Sequence, residues 1–133
     1  MNGYPPTYED LLTDEAHAFA YLATLMPDGS PHVTPIWFNT DGEIIWINTS
    51  VGRVKARNMR VRPQVALAIA DPKNMYRYVQ IRGRVLEISE TGADEHIDAL
   101  AVKYTGAAYA WRKPGMVRLK VKILPEKIIA QGG

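Results

Sequence analysis

The strongest constraint on the fold is a rhythm of short β-branched and aromatic runs, each closed by a turn signal. AFAYLATL (18–25) is followed by the turn Pro27-Asp28-Gly29, then HVTPIWF (32–38), then a turn over Asn39 to Gly42, then EIIWINT (43–49). QVALAIAD (64–71), the turn DPKN, MYRYVQIRGRVLEIS (75–89), GMVRLKVKIL (115–124) and a closing EKIIA continue the series. Runs of this length between Gly, Pro, Asn and Asp read as strands joined by hairpins. AFAYLATL reads as a buried strand, and the uniformly apolar QVALAIAD predicts burial on both faces. Pro35 lacks a ladder donor, which predicts an edge or a bulge there, and Gly83 predicts a bulge or bend.

Three segments break the rhythm with helical spacing. Thr7 to Ala16 follows Pro5 and Pro6, with Thr7 as its expected cap and Glu9 and Asp10 in its first turn. Val54 to Val61 stops before Pro63. Thr91 to Tyr104 is the best helix, with Thr91 and Asp94 as a capping-box variant, Gly106 as its stop and a stripe of Ala93, Ile97, Leu100, Ala101 and Tyr104 expected to be buried. No βαβ alternation and no repeat is present. The expectation is one mainly β domain over 1–133, with residues 1–17 as an N-terminal helical segment. Six or seven antiparallel strands would form a small barrel with flanking helices.

Charge then narrows the function. The chain of 133 residues has a formal net charge of +2, too small for a general polyanion binder. Yet TSVGRVKARNMRVRP (49–63) places Arg53, Lys55, Arg57, Arg60 and Arg62 within ten positions. Gly52 permits a tight turn, and Thr49 or Ser50 can cap the helix that follows. Its first amides carry a partial positive charge, and Arg53 and Lys55 flank that end, a ready site for a phosphoryl group. Arg60 and Arg62 read instead as a solvated face.

The absence of cysteine excludes disulfides and thiolate metal sites and fits a reducing, cytoplasmic setting. The acidic, proline-containing N-terminus does not resemble a signal peptide, and no apolar run approaches a membrane span. His17, His32 and His96 are far apart and lack metal-ligand spacing, so no metal site is expected. His96, in a helix's first turn, is expected to be exposed. Ser30 and His32 form no triad. Strand alternation points Trp46 into the core. Tyr104, Tyr109 and Trp111 frame the loop GAAYAWRKPG, read as a lid over a pocket or as a packed connector.

LATLMPDGSPHVTPIWF, then INTSVGRVKARNMRVRPQVALAIADP, then YRYVQIRGRVLEI resembles the pyridoxamine-phosphate-oxidase-like superfamily of split β-barrel, FMN-binding-like flavoproteins. The likeness runs in order and spacing from about Ala18 to Ile88, and is closer to the branch that uses the F420-type deazaflavin. The resemblance implies a homodimer with a coenzyme at each subunit interface, F420 or alternatively FMN. It implies that Arg53 and Lys55, helped by Arg57 and Asn58, hold the phosphate. The ring would lie along Pro35-Ile36-Trp37 and Ile47-Asn48-Thr49. Tyr76, Arg77 and Tyr78 of a second copy, with Trp111, would complete the pocket.

The reaction implied is hydride transfer from the reduced deazaflavin to a small conjugated or heteroaromatic substrate, which requires no nucleophile from the protein. The resemblance assigns no catalytic residue, although His32, at a strand start near the implied ring, could donate a proton. The stretch up to IIAQGG is expected to be too short for the C-terminal arginine segment of the vitamin-phosphate oxidases, which argues against that activity. Two other readings compete: a carrier that binds the coenzyme without catalysis, and a nucleic-acid-binding small barrel. The second is disfavoured because the aromatics lie in apolar strands.

Overall fold

A computed structural model describes residues 3–132. Seven antiparallel strands form one sheet: β1 (Ala20–Leu25), β2 (Pro31–Ile36), β3 (Phe38–Thr40), β4 (Ile45–Ser50), β5 (Gln64–Asp71), β6 (Asn74–Ser89) and β7 (Arg118–Gln131). Their spatial order is β2-β1-β5-β6-β7-β4-β3. The two outermost strands are therefore consecutive in the chain, separated only by Trp37. Two peptide steps span at most about 7 Å, so the sheet must roll until its edges meet. The result is the expected barrel, split at Trp37, where β2 runs on into β3 and the two strands are not paired with each other.

The rolled sheet encloses an apolar core. Leu22, Leu67, Ile69, Ile81, Val121, Ile123, Ile45, Ile47 and Phe38 all point inward and are almost completely buried. Met59 from the helix α1 (Val54–Val61) and Leu11 and Leu12 from the N-terminal segment close its ends. The helix α2 (Ala93–Thr105) lies over β7 and β4.

Two side chains of α2 staple the split. The Tyr104 hydroxyl donates to Ala18 O at 2.6 Å and accepts from Phe38 N at 3.4 Å. Lys103 Nζ donates to Phe38 O at 2.7 Å, lies 4.1 Å over the Phe38 ring and pairs with Asp14 at 3.7 Å. Burial pulls the Lys103 ammonium down from its ordinary value, partly offset by Asp14, and pushes the Tyr104 phenol well up.

Several expectations change. HVTPIWF is two strands, because the chain must cross the split at Trp37. Pro35 stands in an edge strand, as its missing donor predicted. Residues 115–124 and the closing EKIIA join in one long strand, β7. Pro125 is tolerated there because the register slips where it faces Gly83. Gly83 is the bend expected of it: a Cβ at that position would stand 2.5 Å from Leu124 O.

The strands β1 and β5 alternate rather than being buried throughout. Tyr21 is exposed, and Ala66, Ala68 and Ala70 are half-buried on the outer face. Trp46 does not enter the core. Ile45 and Ile47 take those positions, and Trp46 lies on the opposite face beneath Lys120 and Lys122, at 4.5 and 5.8 Å.

The N-terminal segment is a 3-10 helix over Pro6–Leu12, not an α-helix from Thr7; Pro5 precedes it and its carbonyl accepts from Tyr8 N. α2 begins at Ala93 behind Gly92, whose φ of +74° stands where a capping Thr91 was expected. Gly106 ends α2 as read from the sequence. His96 and Lys103 stand four residues before and three after Leu100 and so share the buried face, while Tyr104 is only partly covered.

Candidate functional site

The turn after β4 sets up the site. Gly52 takes a φ of +94°, open to glycine at little cost, and Arg53 N–H donates to Ser50 O. α1 then starts at Val54 with no side-chain cap, so neither Thr49 nor Ser50 plays the capping role. The Ser50 hydroxyl instead lies 3.4 Å from Arg53 Nε. The first bond closing the helix runs from Arg57 N to Arg53 O, leaving the preceding amides at a partially positive end.

A cleft of about 440 Å³ opens beside this turn, within the range of small-ligand sites. One end is aromatic and apolar, with Phe19, Pro35, Ile36 and Trp37 from the split and Ile97 and Leu100 from α2. Asn48, Thr49 and Ser50 of β4 also line it. The other end is cationic: Arg53, Lys55 and Arg118. No carboxylate lines it, and among the described residues none of these three cations has an ion pair. Lys55 is half-buried. Burial first, then Arg53 and Arg118, pulls its ammonium below the usual lysine value. Burial first also lowers Arg118, with Arg53 and Arg112 adding to it and Tyr109 and Asp94 partly offsetting it. A local excess of positive charge held partly away from water is the complement of an anion.

The aromatic end is rigid. Tyr104 is sandwiched between Phe19 and Trp37, with centroids 5.2 and 5.3 Å away and the rings nearly parallel. Tyr109 and Trp111 from the loop after α2, edge to face at 5.6 Å, line the cleft on the side of Arg118, whose guanidinium carbon lies 5.2 Å from the Tyr109 ring centre. Asp98 pins that loop to α2 by accepting from Tyr109 N at 3.0 Å and Arg112 Nη2 at 2.6 Å.

Of the residues implied from sequence, Pro35, Ile36, Trp37, Asn48, Thr49, Arg53, Lys55 and Trp111 meet at this one cleft. The remainder lie elsewhere in the chain. Ile47 is fully buried in the core. Arg57 donates to Gly52 O at 2.9 Å, stiffening the turn. Asn58 is buried and donates to Thr24 Oγ1 at 3.0 Å, tying α1 to β1. Arg77 is engaged by Asp10, Asp71 and the Thr7 carbonyl. Tyr76 is largely exposed near the β5–β6 turn, and Tyr78 is half-buried one residue beyond Arg77.

Sequence reasoning missed Arg118. It shares the polar parity of Lys120 and Lys122 and so reads as a solvated strand face. Only the pairing of Arg118 with Ser50 brings it to the cleft.

His96, expected to be exposed, is 6% exposed, and both ring nitrogens are bonded. Asn48 Nδ2 donates to Nδ1 at 3.2 Å, which makes Nδ1 the acceptor; Nε2–H therefore donates to Asn39 Oδ1 at 3.0 Å. Burial, then Lys120 and Arg118, lowers His96 to about 4 from 6.5. The unfolded chain therefore holds this proton more tightly. The stabilisation from neutral His96 is complete above pH 6.5 and is lost as pH falls towards 4, a change on the order of 3 kcal/mol. Urea unfolding across that window should show stability falling with pH, and His96→Gln should flatten the slope. An unchanged slope would contradict the buried neutral ring.

Three comparisons place the chain among known proteins. Residues 5–129 match the model of the pyridoxamine 5'-phosphate oxidase family. The chain belongs to that family. The family member is 35% identical over 78 residues to a pyridoxine/pyridoxamine 5'-phosphate oxidase from Rhodopseudomonas palustris (strain BisB5). That stretch is 56% of this chain but only 35% of the relative, so the chain spans about a third of that enzyme's length. A solved F420 reductase superposes with a TM-score of 0.84 at 32% identity, covering 95% of this chain and 98% of the other. A conserved hypothetical protein from Mycobacterium tuberculosis superposes with a TM-score of 0.74 at 25% identity, covering 96% and 84%. Among the described residues no helix is long and apolar enough to cross a membrane, and no cluster of metal-ligating side chains is present.

Proposed function

We propose that this family member is an oxidoreductase that holds a phosphorylated F420-type deazaflavin in the cleft and reduces a small conjugated or heteroaromatic substrate. The observation that carries the reading is the polarity of the cleft, aromatic at one end and bearing three unpaired cations at the other. That donor set fits a planar ring joined to a phosphoryl group. The likeness to an F420 reductase over nearly the whole of both chains supports the deazaflavin over FMN.

In this reading Arg53 and Lys55 bind the phosphoryl group beside the start of α1. The backbone of Pro35 to Trp37 and of Asn48 and Thr49 lines the place for the ring. Trp37, braced by Tyr104, and Trp111 shield it from water. When bound, the coenzyme supplies the hydride. No carboxylate or imidazole lines the cleft, and the part proposed for the chain is binding, orientation and water exclusion.

The active form is proposed to be a homodimer. Val33, Ala23 and Ala66 form one apolar row on the outer face, and Pro35, Tyr21 and Ala68 the next. Val33 is 65% exposed and Tyr21 47%. Met75 and Tyr76, also largely exposed, stand ready at the β5–β6 turn to reach a second copy.

Colour tests the coenzyme. Protein purified from a host that makes FMN but not the deazaflavin should be colourless. It should then take up one added deazaflavin per chain and sediment as a dimer. A stoichiometric yellow FMN complex would overturn the choice of coenzyme, and uptake of neither would overturn the reading.

A further inference from the structure

The cationic end of the cleft holds more positive charge than one phosphoryl group needs. Arg53 and Lys55 flank the start of α1, whereas Arg118 approaches from the first residue of β7. We propose that Arg118 is a second anion anchor, recognising a carboxylate on the ligand apart from the phosphoryl group, and that Asn48 and His96 position it. This inference rests on the proposed function above.

The Arg118 guanidinium is fixed on one side and free on the other. Its Nε donates to Asn48 Oδ1 at 2.8 Å, and its carbon lies 5.2 Å over the Tyr109 ring. Nη1 meets only the Met116 sulfur at 3.5 Å, a weak acceptor. Asp94, a carboxylate within electrostatic reach, pairs with Arg112 at 3.4 Å. The remaining donors of Arg118 are thus left to the cleft it lines. A planar fork with two parallel N–H groups matches a carboxylate.

The orientation is fully determined. Asn48 gives its two amide hydrogens to Ala93 O at 2.9 Å and to His96 Nδ1 at 3.2 Å. His96 in turn is held by Asn39 at 3.0 Å. Flipping the Asn48 amide would set its NH₂ against the guanidinium and its carbonyl against Ala93 O. Only the observed arrangement matches every donor to an acceptor, so Asn39, His96 and Asn48 hold Arg118 at the cleft wall. A phosphodiester carries a single negative charge and would leave this corner strongly positive. A ligand with a second anionic group complements it.

Two sources supply that chemistry: a glutamate tail on the coenzyme, or a carboxylate on the electron acceptor. The test uses the full chain and two deazaflavins, one carrying its lactyl-glutamyl tail and one ending at the 5′-phosphate. Dissociation constants are read by fluorescence. If the tail supplies the carboxylate, Arg118→Gln weakens the tailed coenzyme tenfold or more and the 5′-phosphate form less than twofold. If the acceptor supplies it, both constants stay within twofold and KM for a nitrobenzoate rises tenfold relative to its methyl ester. Either result supports the proposal.

Arg118→Lys should restore part of the discrimination. His96→Leu should lose several-fold of it, while His96→Gln, which can still accept from Asn48 and donate to Asn39, should keep it. These variants carry the test if Arg118→Gln melts well below the parent. Arg118→Gln that changes neither the ratio between the two deazaflavins nor the ratio between the nitrobenzoate and its methyl ester, or that weakens both deazaflavins equally, overturns the proposal. Parent protein that binds neither deazaflavin overturns the proposed function and this inference together.

Discussion

Lys55→Ala is expected to weaken binding of the phosphorylated coenzyme by about 1 to 3 kcal/mol, roughly five- to 150-fold, the usual loss for a charge-assisted contact. The expectation follows from where the ammonium sits. It is half-buried, near Arg53 and Arg118, and no carboxylate offsets it. In the ligand-free protein this is an unfavourable arrangement, which an arriving anion relieves. The same substitution should therefore leave the melting temperature of the ligand-free protein unchanged or slightly raised. Titration calorimetry and thermal melting together test both halves. Unchanged affinity would remove Lys55 from the site. Arg62→Ala makes the control: Arg62 Nε donates to Leu25 O at 2.8 Å, so its loss should affect stability and leave coenzyme affinity alone.

Phe38→Ala should lower the unfolding free energy by about 3 to 5 kcal/mol, the range for deleting a large buried aromatic. Phe38 is fully buried, and its ring lies beneath the Lys103 ammonium. Alanine would leave a cavity at the split and strip a buried cation of its aromatic face. The backbone staples to Tyr104 and Lys103 would remain, so the protein should still fold. Urea unfolding measures the loss. A drop below about 1 kcal/mol would mean that the region repacks around the missing ring and that the split is less rigid than its contacts indicate.

The fold was legible because most of its signals are local. Gly106 marks a helix end, Pro35 an edge strand, Gly83 a bend, and each does so through the backbone conformation it permits or the donor it lacks. The run from Gly52 to Lys55 announced an anion site for the same reason: a turn, a helix start and two cations are adjacent in sequence. What stayed hidden depends on register and rotation. Whether Ile47 or Trp46 faces the core is decided by one residue of strand parity. His96 is covered because it shares a face with Ala93 and Leu100, three residues before and four after it, and that face packs on the sheet. Arg118 reaches the cleft only through the pairing of β7 with β4, between residues 68 positions apart in the chain. Tyr76, Arg77 and Tyr78 were implied as contributions from a second copy. Within one chain Arg77 already serves as the clasp between the N-terminal segment and the β5–β6 hairpin.

Trp37 is the single link between the first and last strands of the sheet, and this has a consequence for assembly. Open sheets expose unpaired peptide groups along both margins, which recruit further strands and seed aggregates. Here the two margins are joined end to end by one residue, and Tyr104 and Lys103 occupy the backbone groups of Phe38 where the second margin begins. For the proposed homodimer this leaves the outer face of the sheet, with its exposed Val33 and Tyr21, as the surface for a second copy.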